Sequence, residues 1–105
     1  MILMYVTYQG DADTRFDRDY YVSRHIPIVM AAWQQYGLTS CDAFFPADAN
    51  AGTIAIAECR FTDEAALRAA LASPETEGVM ADVAHFTDAP PAQHIPGPVK
   101  EVSPS

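Results

Sequence analysis

The stretch DRDYYVSRHIPIV, residues 17–29, holds the side chains best suited to chemistry. An imidazole titrates near neutrality, at about 6.5, so His25 is equipped to take a proton and return it. Tyr21 stands four residues earlier and Asp17 four before that, so on a helix all three share one face. Such a stripe can orient an imidazole and offer a phenol donor to a substrate oxygen. The plain alternative is a structural histidine, satisfied at the edge of a core. Pro27 lacks an N–H and leaves the Ser23 carbonyl without its helical donor, at a cost of about 3 kcal/mol in an exposed helix. It reads as a tolerated kink, as the start of a second helix, or as a disturbed turn that tips His25 towards a cavity.

Other candidates are weaker. Asp82 is an acid on a partly apolar helix and could face the same cavity; a solvated carboxylate or a cap is the alternative. Tyr20 reads as packing. Three histidines, His25, His85 and His94, lack the paired spacing of a metal site. Cys41 and Cys59 also lack zinc-motif spacing and read as reduced, buried thiols. There is no glycine-rich phosphate loop, no GxSxG elbow, no HExxH and no CxxC.

The elements that must position these residues follow from periodicity. Residues 1–9, MILMYVTYQ, read as a strand with Ile2, Met4, Val6 and Tyr8 on one face and Leu3, Tyr5 and Thr7 on the other. Both faces are mostly apolar, as in a strand covered on both sides. A helix is expected from an Asp17 N-cap to Gln35, stopped by Gly37. Its core stripe is Val22, Ile26, Val29 and Trp33, with Asp17, Tyr21, His25, Ile28 and Ala32 beside it. Residues 38–46 and 53–61 read as a hairpin around the turn 47–52. Counting outward from Asn50 sets Cys41 opposite Cys59 on one face, without requiring a bond.

A second helix begins at Thr62 or Asp63 and turns Leu67, Ala70 and Leu71 inward. Ser73 and Pro74 interrupt it, and a further helix over 74–86 has Val79, Met80, Val83 and Phe86 on its apolar face. Residues 87–96 give a last strand, confined to an edge by Pro90 and Pro91. The order is βαββαβ, an α+β ferredoxin-like protomer with an antiparallel sheet. Helices cover one sheet face, and the apolar second face is expected to meet another copy, making a homodimer.

The chain has 105 residues, enough for one domain, expected over 1–96 with a loosely held tail at 97–105. Fourteen acids against six bases give a net charge of −8, which argues against nucleic acid and anionic membrane surfaces as partners. The N-terminal segment has no basic region and turns polar too soon to span a bilayer, so a cytoplasmic location is expected.

The run FDRDYYVSRHIPIV, followed by YGL at 36–38, resembles the signature of the EthD family. The segment MADVAHFTDAPPAQHI is similar to that family's C-terminal block. The resemblance implies protomers that pair sheet to sheet into a dimeric α+β barrel. The family is named for a protein associated with fuel-ether degradation by a cytochrome P450 system. Related domains include cofactor-free dehydratases, lactone isomerases and monooxygenases, and also haem enzymes. Carried over by position, the motif residues are Phe16, Asp17, Tyr20, Tyr21, His25 and Pro27, with Asp82, Phe86 and Thr87 from the second block. Ser23 and Arg24 stand where the family often has Asn and Thr.

The combined expectation is a cofactor-independent, metal-free enzyme acting on a small, largely apolar molecule. His25 and Tyr21 are the catalytic pair, and Asp17, Tyr20, Asp82, Phe86 and Trp33 are the contacts with the ligand. The alternatives are a non-catalytic carrier assisting a P450-type oxidising system, and a haem protein with His25 or His94 as ligand.

Overall fold

A computed structural model describes residues 1–47 and 52–95. Four strands, β1 (Ile2–Gln9), β2 (Leu38–Phe44), β3 (Thr53–Phe61) and β4 (Pro91–His94), form one antiparallel sheet in the order β2-β3-β1-β4. The helices are α1 (Arg18–Tyr20), α2 (Ile26–Trp33), α3 (Glu64–Ala72) and α4 (Glu75–Asp82). This is the ferredoxin-like α+β arrangement. Positions 48–51 of the expected turn and the expected tail lie outside the described residues. Among the described residues no helix is long and apolar enough to cross a membrane.

Strand alternation divides the sheet into two faces. Met4, Tyr8, Ala57, Cys59 and Phe61 are buried against the helices in two adjoining clusters. The first is built around Trp33, Leu67 and Val79, the second around Tyr21, Val83 and Phe86. On the opposite face stand Leu3, Tyr5, Thr7 and Ile56, with Phe44 50% exposed at the β2 edge. The last strand is shorter than 87–96 because Thr87 is used elsewhere. It bridges to Phe16, its hydroxyl donates to the Arg15 carbonyl at 2.6 Å, and Pro90 then interrupts any ladder.

Asp63 caps α3 by accepting from the Ala66 N–H at 2.8 Å. Gly37 ends the first helical run with φ 112°, a left-handed conformation that glycine adopts without penalty. A side chain there would also collide, since a Cβ would lie 2.7 Å from the Ala66 Cβ. Two residues that periodicity alone turns inward face solvent instead. Val22 is 51% exposed and Met80 42% exposed, and the reason for Val22 lies in the turn that carries His25.

Candidate active site

Asp17 opens the first helical run. Its Oδ1 accepts from the Tyr20 N–H at 3.0 Å, so this carboxylate caps the helix at the surface, away from the cavity described below. After one α-turn the backbone widens into a π-turn over Tyr21–His25, where the Ile26 N–H reaches back to the Tyr21 carbonyl. Pro27 explains the widening. In a regular α-helix its ring would press on the Ser23 carbonyl and leave it without a donor. The π-turn relieves that crowding, and α2 resumes at Ile26 with Pro27 in its first turn. The helical run therefore continues and absorbs one extra residue.

That extra residue changes which side chains face inward. Tyr21 and His25 are buried on the inward face, Val22 is turned to solvent, and Ile26 stays partly buried in the cavity wall. His25 is thus within the core stripe, 3% exposed, and continues into Val29 and Trp33. It stacks on Tyr21 at a centroid distance of 5.5 Å and lies 4.6 Å from the Phe86 ring. Phe86, fully buried, also packs against Tyr8, Phe16 and Tyr21. The stacked contact with Tyr21 and the tilted one with Phe86 hold the imidazole plane.

Asp82, at the end of α4, meets His25 from below. Its Oδ2 is 2.9 Å from Nδ1, and its Oδ1 accepts from the Tyr20 hydroxyl at 2.7 Å. Burial raises the Asp82 pKa, but the bonds from Tyr20 and His25 outweigh it and hold the carboxyl below its ordinary range. Burial lowers the His25 pKa, and Asp82 only partly restores it. The pair is therefore a carboxylate beside a neutral imidazole at neutral pH. An ionised carboxylate only accepts, so Nδ1 carries the proton and Nε2 keeps its lone pair. Among the described residues Nε2 has no hydrogen-bond partner, and His25 lines a cavity.

The cavity lies between α2, α4 and the sheet. It encloses about 420 Å³ of space between atoms, mouth included, with interior room for about two waters. Its walls are mostly apolar, formed by Val6, Val29, Trp33, Val79 and Val83. Met80 and Gln93, both exposed, line it where it meets solvent. Its polar groups are His25, Tyr8, Tyr21 and the two cysteines. Burial pushes both tyrosines up, so each phenol stays protonated and can donate.

Of the expected site residues, His25, Tyr21 and Trp33 line the cavity. Trp33 also donates from Nε1 to the Thr76 hydroxyl at 3.0 Å. Asp82, Tyr20 and Phe86 stand behind His25 as its supports, and Asp17 stands apart as the helix cap. Tyr8 was not singled out from the sequence. Its signal was the β1 alternation, which sets it on the helix-covered face with Met4 and Val6. A porphyrin does not fit a cavity of this size, and His94 Nε2 is already 2.9 Å from the Thr7 hydroxyl.

The fold and the buried histidine–aspartate pair define a small α+β protein of the ferredoxin-like class. Residues 9–90 match the EthD domain, and the chain belongs to that family. It is similar in structure to an EthD-like protein from Ralstonia eutropha JMP134, with TM-score 0.77 and 24% identity over 97% of this chain and 95% of that one. An ethyl tert-butyl ether D (EthD) family protein from Bacillus halodurans C-125 gives TM-score 0.68 and 16% identity, over 94% and 100% of the two chains. A monooxygenase from Streptomyces coelicolor, solved with nanaomycin D, gives 0.59 and 17%, over 99% and 92%. At these identities the likeness is one of fold. Among curated proteins there is no match.

Proposed function

We propose that this EthD-family protein binds a small, largely apolar organic molecule in the cavity and catalyses proton transfer on it without a resident cofactor. His25 Nε2 takes the proton, Asp82 holds the imidazole in the required tautomer and stabilises the imidazolium, and Tyr21 donates to a carbonyl or hydroxyl oxygen of the ligand. The observation that carries this reading is the 2.9 Å bond that Nδ1 donates to a buried carboxylate, which leaves Nε2 free in an apolar wall. Dehydration, isomerisation or oxygenation of an activated phenol or enol all begin with such a proton transfer. Ligand entry requires side chains at the mouth, Met80 and Gln93, to move aside, because the closed cavity holds little more than water. We further propose that two copies pair through the open sheet face, where Leu3, Tyr5, Ile56 and Phe44 present apolar surface around the Glu58–Arg60 ion pair with no helix over it.

The test uses nitrobenzisoxazole, a flat probe whose ring opens when a base removes one proton. The wild-type protein is expected to open it with a pH profile governed by a single group below the ordinary histidine value, and His25→Ala is expected to lose roughly 10²-fold or more. Equal rates in the two proteins would overturn the catalytic role. Saturable binding of the probe with no rate above buffer would instead make the protein a carrier.

A further inference from the structure

Cys41 and Cys59 take no part in that proton transfer, yet both line the same cavity. They are the only two cysteines of the chain. The register of β2 and β3 sets them directly opposite, and their sulfurs, unbonded, lie 3.5 Å apart. From this placement we propose that Cys41 and Cys59 form an oxidation site, closed to a cross-strand disulfide by a small hydroperoxide and reopened by a thiol reductant.

The geometry needs little change. The two sulfurs already point at each other, and a disulfide asks them to approach to about 2.05 Å. Facing residues of an antiparallel pair have Cβ atoms about 4.5–5.5 Å apart, so the strands draw slightly together at this point. Cys59 is 1% exposed and Cys41 half-buried, so a small oxidant and a thiol reductant both meet Cys41 first.

The two thiols have distinct parts. A hydrogen bond from Cys59 lowers the Cys41 pKa against the opposing effect of burial. The same bond, with burial, raises that of Cys59. Cys41, the more exposed of the two sulfurs, is the one a peroxide reaches, so it attacks and the buried Cys59 resolves. The Cys41 sulfur attacks one peroxide oxygen and the O–O bond breaks. The leaving hydroxide takes the proton that Cys41 released and departs as water, leaving Cys41 as a sulfenic acid. The Cys59 sulfur then attacks the Cys41 sulfur, the S–O bond breaks, and the hydroxide leaves as water with the Cys59 proton. Two thiols lose two electrons, and one peroxide becomes two waters.

The reaction needs neither His25 nor a bound ligand, so its test is separate from that of the proton transfer. The full chain, reduced and freed of reductant, is exposed to equimolar hydrogen peroxide and mapped by mass spectrometry under non-reducing conditions. The expected result is a loss of two hydrogens on the joined 41 and 59 peptides and no alkylatable thiol, both reversed by dithiothreitol. Cys59→Ser is expected to stop at a Cys41 sulfenic acid that dimedone traps. Cys41→Ser is expected to react at least roughly tenfold more slowly. Oxidised methionines beside two still-alkylatable cysteines would overturn the proposal, as would a disulfide joining two chains.

Discussion

At the scale of residues, His25 is held between two opposing effects. Burial disfavours its imidazolium, and the Asp82 carboxylate favours it. Burial prevails, so the folded protein binds a proton at His25 less readily than the unfolded chain does. Its contribution to stability is then complete above the ordinary value of 6.5 and is lost as pH falls from there through the depressed folded value. Asp82, also depressed, loses its contribution in the same direction, below its ordinary 3.8. Urea unfolding between about pH 7 and pH 5 should show stability falling with acid, and His25→Asn should flatten that slope. Stability that rises towards pH 5 in the wild type would contradict the stated direction.

Asp82→Asn tests the orientation of the ring. Tyr20 donates to the carboxamide oxygen, which turns the amide nitrogen towards His25 Nδ1 and forces the ring proton onto Nε2. The base is then blocked. We expect turnover of the probe to fall roughly 10²-fold or more, at a stability cost of about 1–3 kcal/mol, with the changed tautomer visible by nitrogen NMR of the imidazole. His25 was legible in the sequence from residue type and spacing. Its partner was legible only as an acid with two possible environments, because the meeting of residues 25 and 82 depends on how α4 packs.

At the scale of elements, the π-turn sets the site. Pro27→Ala restores the missing N–H and lets the turn tighten to a regular α-helix. Tightening would return Val22 to the inward face and turn His25 away from Asp82. The expected outcome is a stability change within about 1 kcal/mol together with a large loss of turnover, read by chemical denaturation and by the probe reaction. Unchanged turnover would separate Pro27 from the site. Gly37→Ala should act oppositely, costing about 1–3 kcal/mol through its positive φ and its contact with Ala66, with the site chemistry intact in whatever remains folded. Start, stop and caps of the helices were legible because Asp17, Gly37 and Asp63 are local signals. The inward face was not, since a count at 3.6 residues per turn cannot see one inserted residue. Pro27 was the sole hint.

At the scale of the molecule, β-alternation alone exposed the second sheet face, and the hairpin count set Cys41 against Cys59. If two copies meet there, Tyr5→Asp places a second acid beside Glu58 in the middle of the contact. We expect that variant to sediment at half the mass of the wild type. Equal sedimentation of the two would show that this face does not carry the contact.

The segment before α1 and the segment after α4 are clipped together. Asp17 donates its N–H to the Phe86 carbonyl at 2.8 Å, and Arg15 donates to the Ala84 carbonyl at 2.8 Å and pairs with Asp88. The histidine and its carboxylate come from either side of this clip, 57 positions apart in the chain. Closing so long a loop is among the later and costlier steps of chain organisation. The dyad therefore comes into being only when the final helix docks. On dilution from denaturant, helical signal should return first and proton-transfer activity only afterwards, so that the reaction serves as a clock for completion of the fold.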